Sequence, residues 1–262
     1  MTANRYTPVE MMTVAAARGL RNGTICFVGI GIPSAAANLA RLLHAPEVVL
    51  IYESGTIGAK PNVLPLSIGD GELAETADTV VSVPEIFRYW LQGGRIQVGF
   101  LGAAQVDRYG RLNTTFIGGS YAQPKLRLPG AGGAPEIATS AKEVWIVLKH
   151  SRRNFVDELA FVTSSGYLPD SPVHPRVKGR GQTTVITDLG ILRTGPETHE
   201  LVLVALHPGI STEQVIAETG WPLRVAATLE TVAEPTDSEL HTLRDLQQRT
   251  LAAHGGQTGG DA

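Results

Sequence analysis

Residues 24–53 read TICFVGIGIPSAAANLARLLHAPEVVLIYE. Two continuous apolar runs, TICFVGI over 24–30 and EVVLIYE over 47–53, are rich in β-branched and aromatic residues and have the length of buried strands. Between them Pro33 is placed to open a helix through SAAANLARLL. Upstream, Thr7-Pro8-Val9-Glu10 has the form of a helix start, with Thr as N-cap, Pro in the first position and Glu in the third, and that helix is expected to run to about Gly19. Residues 7–53 therefore read α-β-α-β, the pattern of a parallel sheet covered by helices. The second strand ends in Glu53, a carboxylate where a turn residue is the norm, with Gly55 two residues on.

Beyond this core the segment 56–78 is rich in Gly and Pro and reads as irregular. TVVSV (79–83) and IQVGFLG (96–102) read as strands, with the amphipathic EIFRYWLQ between them. DRYGR (107–111) is a turn joining VGFLGAAQV to LNTTFIG as a hairpin, and KLRLPGAGGAPEIA (125–138) reads as a glycine loop between short elements. EVWIVLK (143–149), LAFVT (159–163), TTVITD (183–188) and ELVLVAL (200–206) are further expected strands, and 167–182 is a Pro-rich basic loop. STEQVIAETG (211–220) and PTDSELHTLRDLQQRTLAA (235–253) read as helices. Neither a repeat nor a linker interrupts this order. The expectation is one α/β domain over 1–253, a single open and mostly parallel sheet with an irregular glycine-rich centre, followed by a disordered tail, HGGQTGGDA, over 254–262.

Composition narrows the function. The 262 residues are 43% hydrophobic and 18% charged, so a sizeable core is expected. A net charge of −3 argues against nucleic acid as a partner. The one cysteine, Cys26, lies inside an apolar run and fits a reducing compartment. MTANRYTPVE lacks an apolar signal region, and no apolar stretch reaches the roughly 18 residues of a membrane span, so a cytoplasmic chain is expected.

Three patterns bear on chemistry. Gly29-Ile30-Gly31-Ile32-Pro33-Ser34 sits between a strand and a helix, with Glu53 at the end of the next strand, as in a dinucleotide fold. The fingerprint is incomplete: Ser34 stands in the third glycine position, and Pro33 removes a backbone N–H. The turn glycines then serve only to shape a tight connection. Glu53 itself lies where open α/β sheets bind ligands, and the turns at Gly29/Gly31, Gly102 and Gly130–Gly133 could bring bare N–H groups to the same edge as oxyanion donors. A carboxylate so placed can act as nucleophile or general base on an acyl group; the alternative is a solvated or ion-paired strand end. Lys149-His150-Ser151-Arg152-Arg153 is a cationic cluster that suits either a solvated face, a subunit contact or an acidic ligand. The aromatic face of EIFRYWLQ reads as core or interface packing. No Gly-x-Ser-x-Gly, His-Glu-x-x-His or paired cysteines occur, so neither a serine nucleophile elbow nor a metal site is expected.

Taken in order, GIGIPS, ESG, LPLSIGDGE, FLGAAQVDRYG and LPGAGGAPEIA resemble the B (β) subunit of class I coenzyme A transferases over roughly residues 7–253. The likeness is to the glutaconate CoA-transferase-like branch, and within it to enzymes acting on 3-oxoadipate. The family's Ser-Glu-Asn-Gly matches Tyr52-Glu53-Ser54-Gly55 with two departures, at Tyr52 and Ser54. The resemblance implies Glu53 as the catalytic nucleophile. It implies Gly29, Gly31, Gly130, Ala131, Gly132, Gly133 and Ala134 as residues lining the CoA and substrate region. It further implies CoA transfer from succinyl-CoA to a dicarboxylic acid, foremost 3-oxoadipate in aromatic catabolism, by ping-pong chemistry through a glutamyl-CoA thioester. The CoA thioester is then a substrate, with no resident cofactor and no metal. The partner implied is a homologous A (α) subunit, with a dimer of heterodimers as the larger assembly. Alternatives at this point are a glutaconate CoA-transferase, a CoA-thioester hydrolase on the same fold, and a CoA-binding regulatory module in which Glu53 is inert.

Overall fold

The computed structural model describes residues 5–165 and 182–255. In chain order the elements are α1 (Pro8–Gly19), β1 (Ile25–Phe27), α2 (Ile32–Leu43), β2 (Val49–Ile51), β3 (Thr56–Ile57), α3 (Gly71–Glu75), β4 (Thr79–Val80) and α4 (Val83–Glu85). The chain runs from α4 into a π-helical turn over Ile86–Leu91, then β5 (Val98–Leu101), β6 (Gln105–Val106), β7 (Leu112–Asn113), β8 (Phe116–Gly119), β9 (Pro124–Arg127) and α5 (Ala134–Ser140). The last part comprises β10 (Glu143–Val147), β11 (Gln182–Ile186), β12 (Gly190–Thr194), β13 (Leu201–Leu206), α6 (Thr212–Ala217), β14 (Arg224–Thr231) and α7 (Asp237–Ala253).

Ten strands form one sheet in the order β14-β13-β12-β11-β10-β5-β1-β2-β3-β4. The five central strands, from β11 through β10, β5 and β1 to β2, are mutually parallel. Antiparallel pairs flank them on both sides. Two small hairpins, β6–β7 and β8–β9, stand apart from this sheet.

Both faces of the central strands are covered, and this is why they read as continuous apolar runs. Alternation along each strand sends Cys26, Val28, Leu50, Tyr52, Phe100, Trp145 and Val147 into one core, with α1, α2 and Leu243 of α7. Phe27, Ile51, Leu101, Val144 and Ile146 enter the other core, with Ile86, Leu91 and Ile137. Burial pushes the Cys26 thiol well above its ordinary range, so it is an inert core group. Thr7 and Glu10 form the capping box expected at the start of α1. Glu10 also accepts from Arg244 of α7 at 2.6 Å. Arg18 of α1 meets Glu239 of α7 through two bonds of 2.7 Å, which ties the C-terminal helix to the first one.

Several expected elements differ. Only Thr79–Val80 of TVVSV is strand. The Glu85 carboxylate accepts from the Ser82 N–H and hydroxyl, so a helix begins there instead. EIFRYWLQ is a π-helical turn, not a regular amphipathic helix. LAFVT forms no strand; Phe161 packs with Phe116 and Tyr121. The glycine loop at 125–138 resolves into the end of β9, a turn and α5. The 167–182 loop, apart from Gln182 in β11, lies outside the described residues, as do residues 256–262 of the tail. His254, the first residue of the expected tail, instead caps α7 and has Nε2 3.1 Å from the Leu64 carbonyl.

Candidate active site

Glu53 sits on a tight turn. Gly55 donates its N–H to the Tyr52 carbonyl at 3.0 Å, so residues 52–55 form a β-turn between the antiparallel strands β2 and β3. Gly55 has φ +113°, and a Cβ there would run into the Val81 carbonyl oxygen. The glycine is thus required twice, for its conformation and for room. The Phe27–Ile51 pair aligns β1 with β2, and Gly29 and Glu53 each follow that pair by two residues. Both therefore leave the parallel sheet at the same level, at its carboxyl edge.

The residue before Glu53 is turned toward the other core. Tyr52 is fully buried on the α1–α2 side, with its hydroxyl 3.0 Å from the Ser34 hydroxyl. Burial pushes the Tyr52 phenol up to about 12, so it stays protonated. Ser34, in the third position of the Gly-x-Gly stretch, is thereby explained: it is 0% exposed and pairs with Tyr52, where a dinucleotide fold would close the helix onto the strand. The Ser54 and Thr56 hydroxyl oxygens are buried, with no hydrogen-bond partner among the described residues. Glu53 itself is partly buried and makes no hydrogen bond or ion pair with a described residue.

Alternation places Glu53 on the face of Ile51 and Phe27, and there it meets a second segment. A Cβ on Gly133 would lie 3.0 Å from Glu53 Oε1 and 2.7 Å from Phe87 Cζ. Gly133 is the N-cap of α5, which is seated on β5 because Gly99 leaves room for Ile137. Among Gly102, Gly130, Gly132 and Gly133, Gly133 is the one whose Cβ would meet Glu53. Gly130 and Gly132, with φ +104° and +49°, turn the chain before it and face open space. Ala131 closes the turn by accepting from Ala134 at 3.0 Å, and Ala134 packs on the second core. Gly31 is the N-cap of α2 with φ +78° and no side-chain cap, so the first N–H groups of that helix are left for other acceptors.

A family model described as coenzyme A transferase matches residues 9–218. This chain belongs to the coenzyme A transferase family. It is 63% identical over 256 residues to the B subunit of 3-oxoadipate CoA-transferase from Pseudomonas knackmussii, a match that covers 97% of this chain and 98% of that one. Its fold matches the crystal structure of glutaconate CoA-transferase from Acidaminococcus fermentans with a TM-score of 0.86 and 30% identity, over 95% of this chain and 97% of that one. A cholesterol ring-cleaving hydrolase IpdB subunit from Rhodococcus jostii is 29% identical over 228 residues, 84% of this chain and 83% of that one. The chain is accordingly a subunit of an enzyme of the CoA-transferase class.

In this CoA transferase the cationic cluster at 149–153 is not one surface. Lys149, Arg152 and Arg153 are exposed, whereas His150 is buried and stacked on Phe155 at 3.7 Å. Its Nε2 lies 3.0 Å from the Thr219 hydroxyl, and burial pushes the imidazole down to about 3. His207, 2.7 Å from the Thr187 carbonyl, is lowered for the same reason, against that hydrogen bond. These rings are neutral packing groups, and their sign with pH follows. Unfolding lets each take up a proton below its ordinary 6.5, so the folded state loses stability as pH falls from there. The carboxylates held low by partners, Glu10 and Glu239, act only below their ordinary 4.5. Between pH 6.5 and 4.5 each histidine is therefore expected to lower the unfolding free energy, measured by urea titration, by at most about 1.4 kcal/mol per pH unit. His150→Gln is expected to flatten that slope; an unchanged slope in the variant would show that His150 does not carry it.

The contact at Phe87 has no counterpart in the sequence pattern. EIFRYWLQ reads as a regular amphipathic helix, and nothing in its periodicity shows a π-helical turn. The only local signal is Gly93-Gly94 directly after it.

Proposed function

We propose that this chain is the B-type subunit of a heteromeric CoA-transferase that moves CoA from succinyl-CoA to 3-oxoadipate, with Glu53 as the nucleophile and a homologous A subunit as partner. The observation that carries the reading is the Glu53 carboxylate. It stands at the carboxyl edge of the parallel sheet, without a hydrogen-bond partner among the described residues, against a glycine that leaves space beside it. The 63% identity to the corresponding chain of a 3-oxoadipate CoA-transferase supports the choice of acid.

An ionised carboxylate needs no activating base to attack a thioester. Glu53 adds to the succinyl carbonyl, and the C–S bond breaks to give a succinyl-glutamyl anhydride and CoA thiolate. The thiolate then attacks the glutamyl carbonyl, releasing succinate and leaving Glu53 joined to CoA as a thioester. The acceptor acid reverses both steps, so one thioester replaces another of similar energy. Each addition puts negative charge on a carbonyl oxygen. Backbone N–H groups at the uncapped start of α2 and at Gly132, which has no hydrogen-bond partner among the described residues, suit that charge. Turn geometry holds Glu53 in place before the reaction, which lowers the entropic part of the barrier.

The test is to produce the chain with its A subunit and supply succinyl-CoA alone. A CoA mass on the Glu53 peptide is the expected result. Turnover of succinyl-CoA without such an adduct would overturn the nucleophile reading and favour hydrolysis.

Gly133→Ala tests the space beside Glu53. Gly133 has φ −83° and ψ −2°, which any residue adopts, so only room is at stake. A methyl group there displaces the Phe87 ring or the carboxylate, and kcat is expected to fall about 10- to 100-fold. Tm is expected to move little, since both neighbours are side chains; a variant with full kcat would show that this contact is dispensable.

A further inference from the structure

The Glu53-CoA thioester of the proposed mechanism faces a competing reaction. Water can add to the glutamyl carbonyl, and the C–S bond then breaks. The departing thiolate takes one proton of that water to become CoA thiol, and the other goes to solvent as the Glu53 carboxylate is restored. Each such event consumes a thioester without transfer. A transferase must therefore keep water from this carbonyl while admitting a carboxylate.

The same point on Gly133 is 3.0 Å from Glu53 Oε1, 2.7 Å from Phe87 Cζ and 3.0 Å from Phe87 Cε1. The ring edge and the carboxylate thus converge on one spot. Phe87 is held there from several sides. Its ring packs on Phe27 with centroids 6.1 Å apart. Its neighbour Ile86 and, one turn on, Leu91 are fully buried. Its carbonyl accepts from the Gln92 N–H at 2.8 Å, five residues ahead, and the same spacing recurs from Arg95 to Trp90 at 2.9 Å. Such π-helical turns insert an extra residue and re-aim the side chains around it, and they occur often at functional sites. Gly94, with φ +72°, follows the turn. An aromatic ring offers no hydrogen bond in its plane, so a water lodged between it and the carbonyl would lose partners.

We propose that Phe87 is a positioning residue that shields the Glu53 carbonyl from water on its Gly133 side and so sets transfer against hydrolysis. The proposal rests on the reading of Glu53 as nucleophile. The A-subunit complex would be loaded with succinyl-CoA, freed of excess substrate and succinate, and followed by mass for loss of CoA from the Glu53 peptide. Wild type, Phe87→Leu and Phe87→Ala would be compared, and the adduct is expected to be lost about tenfold faster in the Ala variant, where water gains access. Leu, which keeps most of the apolar bulk, should restore much of the lifetime. The partition of the adduct between delivery of CoA to added 3-oxoadipate and loss to water should shift toward loss in the Ala variant and back toward delivery in the Leu variant. Should Phe87→Ala fail to fold, Phe87→Met and Phe87→Leu carry the same comparison. An absent adduct in the wild type would sink the Glu53 reading itself. An adduct present in all variants, and lost at one rate, would overturn the role of Phe87 and leave Glu53 standing.

Discussion

Glu53→Gln is expected to lower CoA transfer about 1,000-fold or more while leaving Tm within about 2 °C of wild type. The two halves of this expectation come from different facts. The amide has no anionic oxygen to add to a thioester, so the covalent route is closed. The side chain makes no hydrogen bond or ion pair with a described residue, so little folding energy is at stake. Gln has nearly the same volume and fits the space beside Gly133. The measurement pairs initial rates of acyl transfer with thermal unfolding of the complex. Full activity in a folded Gln variant would remove Glu53 from the mechanism. A large fall in Tm would mean that the carboxylate holds the turn together, which its geometry does not suggest.

Gly55→Ala is expected to cost about 3 kcal/mol or more, because it forces an L side chain to φ +113° and drives its Cβ into a backbone carbonyl. For a chain of this size that corresponds to a Tm lower by roughly 6–12 °C. Activity should fall with it, because Gly55 closes the turn that presents Glu53 and its carbonyl accepts from the Val81 N–H at 2.9 Å. The obstructing atom belongs to the main chain, so the site cannot relax by moving a side chain. Gly71→Ala is the matched control: it begins α3, has open space around its Cβ, and should stay within about 1 kcal/mol of wild type. Equal effects at Gly55 and Gly71 would refute the argument from φ and space.

The parallel centre of the sheet was legible because burial on both faces leaves a continuous apolar run, and β1, β2, β5 and β10 all carry one. The start of α1 was legible because its capping box is a local device. The strand β14 was not, because most of its residues are exposed and its sequence lacks a run or a clean alternation. LAFVT carried the opposite signal: it is apolar, but it serves an aromatic cluster and not a strand. His150 read as part of a cationic surface because its neighbours are charged, while its own ring is paired to Thr187 and Thr219, which follow β11 and α6 far along the chain.

By itself the sequence determined the α-β-α-β core and the place of Glu53 at the carboxyl end of β2. These follow from periodicity and capping, which act over a few residues. Only the tertiary structure decided that Gly133 and Phe87 meet at the Glu53 carboxylate, that Ser34 faces Tyr52, and that the turn after α4 is π-helical. Those contacts join segments distant in sequence. They depend on which strands lie side by side and on where a missing Cβ leaves room, and that information belongs to packing and not to local pattern.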